Sequence, residues 1–440
     1  MSQASLVSKK TKQGAEAYGG YPSWVEESIW TERMLTVLGN GMKGGKWFSL
    51  MDKVYRPSTL QRAWEKIASR KGAAGVDGQS IAKFAANSER YINELSESLR
   101  GHDYHPLPVR RVHIPKGNGK TRPLGIPTVK DRIVQTAVKM VIEPIFEHEF
   151  LPMSFGFRPQ KGCKDALREV DRLLKEGYTH VVDADLAGYF DSIPKDKLLA
   201  RVGERISDGS LLNLLQSWLE QDVMDGVKQW TPVAGTPQGA VISPLLANVY
   251  LHPLDVLITE HGFHMVRYAD DFVILCQSEE RASQALAEVQ RWVEANGLVL
   301  HPEKTHIGNC LEKGHGFEFL GYRFERGRRY VRRKSKNALR DKIRCKTKRC
   351  NGKSLAMIIA SLNPMLRGWF EYFKHADHRT FHYIDGFVRR RLRAILRKNE
   401  KRPGHGACRA DHLRWRNIFF AKQGLYTMKT AHVLACQSRC

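Results

Sequence analysis

The sequence predicts an α+β chain: an antiparallel sheet body followed by a helical, strongly basic portion. Three observations carry this. The stretches 109–126 and 265–275 each read as strand, tight turn, strand, with apolar and β-branched residues around a short polar tip. Apolar residues elsewhere recur at helical spacing, as in Leu60, Ala63, Trp64 and Ile67. The charge is also split. Arg326 to Arg402 holds 25 Lys and Arg against five acids, which is +20 of the total +25.

These quantities bound the function. A chain of 440 residues has room for two or three domains. At 42% apolar residues it is globular. A net charge of +25 calls for a polyanionic partner, most simply nucleic acid. No apolar run approaches the ~18 residues of a membrane span. Met1 to Lys12 is polar, with no signal-peptide core. An intracellular protein without membrane attachment is therefore expected, with its eight scattered cysteines reduced.

In chain order, residues 1 to about 40 show little periodicity and read as a flexible or loosely docked leader. Trp47–Val54, Thr59–Ala68 and Tyr91–Leu99 read as helices, with a turn cluster at Gly72–Gly78. The 109–126 hairpin turns at Gly117-Asn118-Gly119 and is studded with Arg110, Arg111, Lys116, Lys120 and Arg122. It suits a clamp for phosphates or an ordinary solvated hairpin with edge lysines. Asp131–Phe146 reads as a long helix. The loop Ser154-Phe-Gly-Phe-Arg158-Pro, leading to a helix at 164–175, fits a nucleic-acid contact or a packed loop equally.

Thr179–Asp185 reads as a strand ending in an acidic, aromatic turn, and period-two alternation puts Asp183 and Asp185 on one side. Tyr268-Ala-Asp270-Asp271 places two like charges at the tip of an apolar hairpin, where repulsion and desolvation both cost energy. A divalent cation would relieve both; a solvated Asp-Asp turn is the alternative. Asp185 offers a third carboxylate, and three carboxylates with two metal ions suit in-line phosphoryl transfer. Asp183 and Asp191 are further candidate ligands, although turn or capping roles account for them more simply.

The basic portion reads as helices with one apolar face each. Asn337–Arg349 is nearly paved with Lys and Arg. Leu355, Ile358, Ile359 and Leu362 form one face, which Pro364 is expected to end. Leu366, Trp369, Phe370 and Phe373 then lie on the next helix, and Phe387, Val388, Leu392, Ile395 and Leu396 on a third. Such helices bury one face and present the basic one to a phosphate backbone.

Lys116 with Arg122, Ser154-Phe-Gly-Phe-Arg-Pro, Asp185 with Phe190-Asp191, Gln238-Gly239-Ala-Val-Ile-Ser-Pro244, Tyr268-Ala-Asp-Asp and Phe319-Leu-Gly321-Tyr stand in one order along the chain. Together they resemble a reverse transcriptase, and more narrowly the group II intron reverse transcriptase/maturases of bacteria. The likeness runs from about Phe48 to the C-terminus. Ser354-Leu…Asn363-Pro…Arg367-Gly-Trp-Phe-Glu-Tyr-Phe373 is similar to the maturase-specific segment.

The resemblance implies a right-hand polymerase with fingers and palm, an α-helical thumb/maturase domain, and a short basic C-terminal DNA-binding region. The expected limits are 1–45 leader, 46–105 N-terminal extension of the fingers, 106–325 fingers and palm, 326–400 thumb/maturase, and 401–440 DNA-binding region. Asp185, Asp270 and Asp271 would hold two Mg²⁺ ions, with the Leu186 carbonyl as a further ligand. Lys116, Arg122, Phe190, Gln238, Gly239 and Lys304 would bind the nucleotide. Phe190 would be the steric gate against a 2′-OH, and Lys304 is a candidate proton donor to pyrophosphate or simply a solvated lysine. Phe319, Leu320 and Gly321 would grip the primer. Arg340, Lys342, Arg344, Lys346, Lys348, Arg349, Arg389, Arg390 and Arg391 would bind RNA.

The implied partners are a group II intron RNA, a DNA target or primer, and deoxynucleoside triphosphates, in a bacterial cytoplasm. With no Cys-x-x-Cys pair, neither zinc nor the zinc-dependent HNH endonuclease of some family members is expected. Two alternatives stay open from sequence: a host-adapted or defence-type reverse transcriptase without an intron partner, and a non-catalytic RNA-binding splicing factor.

Overall fold

The computed structural model describes residues 22–40, 45–117, 120–236, 239–350 and 352–437. The chain divides into two compact units. One comprises Met1–Gly162, Leu186–Leu257 and Trp292–Val299; the other Cys163–Asp185, Ile258–Arg291 and Leu300–Cys440. The described strands are β1 (Val109–Gly117), β2 (Lys120–Ile126), β3 (His180–Asp185), β4 (Val223–Asp225), β5 (Lys228–Trp230), β6 (His264–Tyr268), β7 (Asp271–Cys276), β8 (His306–Asn309), β9 (Phe317–Phe319), β10 (Tyr322–Glu325) and β11 (Arg328–Val331).

In the first unit, the helix Pro57–Ala68 starts on a proline, whose missing N–H costs nothing there, and buries Leu60, Ala63, Trp64 and Ile67. The long helix Val129–Glu147 is capped by Thr128, whose hydroxyl accepts from the Asp131 amide at 3.1 Å. The sheet runs β2-β1-β4-β5, with β1 and β2 antiparallel and β1 and β4 parallel. Two expectations change here. The second half of the leader is docked: Trp30 is fully buried and its indole donates to the Met140 carbonyl at 3.3 Å, ahead of a helix at Glu32–Asn40. The helix expected at 47–54 shrinks to Met51–Val54. Ser49 sits at φ 94°, and Trp47 instead bridges to Ile206. Asp208 draws in the start of the short helix, accepting the Leu50 and Met51 amides at 2.7 and 2.8 Å.

In the second unit, one antiparallel sheet runs β6-β7-β3-β8 and another β11-β10-β9. Of the inner strands, β7 is apolar and buried after Asp271, and β3 buries Val181, Val182 and Ala184 between its polar residues. The helices Arg333–Lys346, Leu355–Phe373 and Arg379–Asn399 follow. The break expected at Pro364 does not occur, and one helix spans Leu355–Phe373. Ile358, Ile359, Leu362, Leu366, Phe370 and Phe373 bury along a single face of it. That continuous packing outweighs the one backbone bond the proline forgoes. Among the described residues, no helix is long and apolar enough to cross a membrane.

Candidate active site

The carboxylates of the second unit come together through strand register. β3 pairs with β7 so that Asp185 lies opposite Asp271, and Tyr268 pairs with Asp271 across the β6–β7 hairpin. Only Ala269 and Asp270 are left for the turn. Ala269 has φ 60°, a position normally given to glycine in such two-residue loops. Arg267, fully buried one residue before Tyr268, donates to the Ala269 carbonyl at 2.9 Å and pins the tip. Its role was not anticipated, because an arginine between apolar strand residues gives no signal of pointing inward.

Burial pushes the Asp271 carboxyl up to about 7, with Asp183, Asp270 and Asp185 adding repulsion and Arg332 pulling the other way. Asp183 is pushed up to about 6 by burial and by Asp185, against the pull of His306 and a Glu318 backbone amide. Asp183 therefore belongs to the acidic cluster, which its reading as a turn residue understated. The Lys304 ammonium donates to Asp185 Oδ2 at 2.6 Å. Among the described residues, no three His, Cys, Asp or Glu side chains close on one point as a finished metal cage. The donor chemistry nevertheless fits magnesium: hard oxygens whose mutual repulsion a divalent cation offsets.

In the first unit, Phe190 is 9% exposed, and its carbonyl accepts the Thr236 amide at 2.7 Å. Gly235, at φ 94°, allows this approach, since a Cβ there would lie 2.7 Å from the Asp191 Cα and the Phe190 oxygen. Gly239, at φ 109°, lies against β2, where a Cβ would run into the Gly125 carbonyl and the Leu124 side chain. A cavity of about 390 Å³ is lined by Arg111, Gly125, Asp191, Trp230, Gly235 and Thr236 among others. Loss of hydration raises the Asp191 carboxyl, against the pull of Arg111 and Arg122. Asp191 thus faces the basic hairpin, and Arg122 stands opposite Ile114 in it. The Lys116 side chain and Gln238 lie outside the described residues. Gln135, missed in the sequence, accepts the Val241 amide at 2.8 Å just after the Gln-Gly motif. Arg158 packs rather than contacts solvent: it is 8% exposed, paired with Glu147 at 2.6 Å and bonded to the Leu151 and Ser154 carbonyls.

Phe319 is fully buried at the end of β9, and Leu320 and Gly321 form the two-residue turn into β10. The nine basic residues expected to meet RNA divide into two kinds. Lys342, Arg344, Lys346, Lys348 and Arg390 are exposed. Arg391 instead donates to the Thr347 hydroxyl and carbonyl at 3.0 and 2.6 Å, closing the end of the helix Arg333–Lys346. Arg340, Arg349 and Arg389 are half-buried. The guanidinium carbons of Arg340, Arg344 and Arg390 lie 5.1, 5.7 and 5.5 Å from the Phe387 ring centre.

Residues 114–324 match the model of the reverse transcriptase (RNA-dependent DNA polymerase) family, and residues 323–415 that of the group II intron maturase-specific domain. The protein YkfC of Escherichia coli (strain K12) is 34% identical over 63% of this chain and 83% of its own length. The group II intron-encoded protein LtrA of Lactococcus lactis subsp. cremoris is 37% identical over 57% of this chain, but the match covers only 42% of LtrA. A solved partial Cas6-RT-Cas1–Cas2 complex is 25% identical over 56% of this chain and 41% of that one, with a TM-score of 0.36. The chain belongs to the reverse transcriptases that carry a group II intron maturase domain. It is an enzyme of the RNA-directed DNA polymerase class.

Proposed function

We propose that this chain adds deoxynucleotides to a DNA 3′-OH on an RNA template, and that it also binds a group II intron RNA to promote its splicing and mobility by target-primed reverse transcription. The observation that carries the polymerase reading is the β3–β7 register, which sets Asp185 opposite Asp271 beside the Asp270 turn. Asp185, Asp270 and Asp271, with the Leu186 carbonyl, would hold two Mg²⁺ ions. When bound, these ions lower the pKa of the attacking hydroxyl and stabilise the leaving oxygen.

The protein's own groups do the rest. Lys304 neutralises Asp185 in the resting chain, and moving it to the departing pyrophosphate would supply a proton there. Arg122 and Lys116 neutralise the triphosphate. Phe190 excludes a 2′-OH by bulk. Gly239 keeps the backbone low where the nucleotide and template lie, with Gln238 beside it. Residues 46–105 would extend the fingers, 106–325 form fingers and palm, 326–400 the thumb and RNA-binding domain, and 401–440 contact DNA. The exposed Lys342, Arg344, Lys346, Lys348 and Arg390 would meet the RNA backbone.

Primer extension on an RNA template by the wild type and Asp270→Ala tests the reading, together with sequencing of RNA that co-purifies with the chain. Extension by the wild type alone, with intron lariat bound to both, is the expected outcome. A wild type that never extends a primer refutes the polymerase, and random cellular RNA refutes the intron partner.

A further inference from the structure

The Leu320–Gly321 turn is strained. Phe319 pairs with Tyr322, so two residues close the hairpin, and both have positive φ, 48° at Leu320 and 85° at Gly321. That is the pattern of a type I′ turn, which favours Asn-Gly. Glycine adopts it freely, whereas in leucine the Cβ crowds the following carbonyl oxygen. A strained turn persists where its surroundings over-determine it.

Here the surroundings are supplied mainly by the helix Leu355–Phe373. The Tyr372 hydroxyl donates to the Leu320 carbonyl at 2.8 Å. The Tyr322 hydroxyl, on the strand leaving the turn, donates back to the Tyr372 carbonyl at 2.6 Å. The Phe373 ring lies where a Gly321 Cβ would be 3.4 Å away. The Arg332 amide takes the Gly321 carbonyl at 3.0 Å. Both turn carbonyls are therefore held, and among the described residues Tyr372 supplies the side-chain hydrogen bond to them.

We propose that Tyr372 is a positioning residue for primer extension, fixing the Leu320–Gly321 turn through the Leu320 carbonyl. The inference rests on the reading of Phe319–Gly321 as the primer grip. Tyr372 lies in the segment matching the maturase-specific domain and Leu320 in the segment matching the reverse transcriptase. The hydrogen bond therefore ties the RNA-binding portion to the grip itself.

The test is steady-state primer extension by the full chain with primer–template varied at saturating nucleotide, then nucleotide varied at saturating primer–template. Tyr372→Phe removes one hydroxyl and keeps the ring that packs 4.8 Å from Phe373. The KM for primer–template is expected to rise about fivefold, the equivalent of one neutral hydrogen bond, while kcat and the nucleotide KM stay within twofold. Gly321→Ala strains the turn directly and serves as the reference, with the same KM expected to rise. If Gly321→Ala raises it and Tyr372→Phe does not, the role of Tyr372 is overturned while the primer grip stands. If neither raises it, the primer-grip reading falls and the proposal with it. A fall in kcat at unchanged KM in Tyr372→Phe also overturns the positioning role, because a looser grip acts on primer binding.

Discussion

Arg393→Met should release the C-terminal segment while sparing the polymerase. Arg393 is 2% exposed on the helix Arg379–Asn399. Its Nε donates to the Trp415 carbonyl at 3.0 Å and its Nη2 to Asn417 Oδ1 at 3.0 Å, with the guanidinium 5.4 Å from the Phe420 ring centre. Gly406 packs so closely that a Cβ would fall 2.8 Å from the Arg393 carbonyl carbon. Hydrogen bonds from a charged donor contribute about 1.5–3 kcal/mol each. Methionine refills much of the volume and removes the cost of burying a charge. The net loss in docking is therefore about 2–4 kcal/mol, which corresponds to roughly 30- to 1,000-fold more frequent local opening. Amide hydrogen exchange over residues 409–437 reads this directly, with β3 and β7 as the internal reference. Extension on a non-specific template should persist, while affinity for nucleic acid that depends on the C-terminal region should fall. Unchanged exchange over 409–437 would refute the reasoning, showing that desolvating Arg393 costs as much as its bonds return.

Three further outcomes are expected. Asp270→Ala should lower primer extension by about 100-fold or more, since metal-borne charge stabilisation is worth several kcal/mol, with RNA binding retained in a filter or mobility assay. Phe190→Val should let ribonucleotides compete, raising their relative kcat/KM by about tenfold or more, the scale of a filled or emptied pocket in single-nucleotide incorporation. Asp208→Ala should cost about 2–4 kcal/mol in denaturant unfolding, because it removes a helix cap at Leu211 and strands the Leu50 and Met51 amides. Burial alone would raise Asp208, but backbone amides of Met51, Leu211, Leu50 and Ser210 outweigh it and hold the carboxyl below the usual range. Its contribution is therefore complete above the ordinary Asp value near ~4 and disappears as pH falls through the lower folded value. The variant should accordingly show a flatter acid limb than the wild type.

The legible parts of this chain are those in which local pattern and tertiary need coincide. A buried strand with acids at its tip has few alternative registers, because a one-residue slip would turn Asp185 and Asp271 onto opposite faces. The hairpins at 109–126 and 265–275 could therefore be read from alternation alone. Pro364 shows the opposite case. A proline normally marks a boundary, but Leu362 and Leu366 lie on the same buried stripe, and that packing is invisible until the partner surface is known. Trp47 reads as part of a helix in the sequence, yet it forms a parallel bridge to Ile206, about 160 residues away in the chain.

The basic residues were the least legible, for a physical reason. On a helix paved with Lys and Arg, charge density does not say which side chains face solvent. Arg391 caps a helix through Thr347, Arg393 pins Trp415 and Asn417, and Arg158 holds its own loop, while Lys342 and Arg390 remain exposed. Arginine is suited to both tasks because five donors on a rigid fork can satisfy several carbonyls at once, as Arg158 does at Leu151 and Ser154. A sequence count of +20 over Arg326–Arg402 therefore overstates the charge offered to a nucleic acid. The part available for phosphate contact is smaller, and the salt dependence of RNA binding should track the exposed set rather than the total.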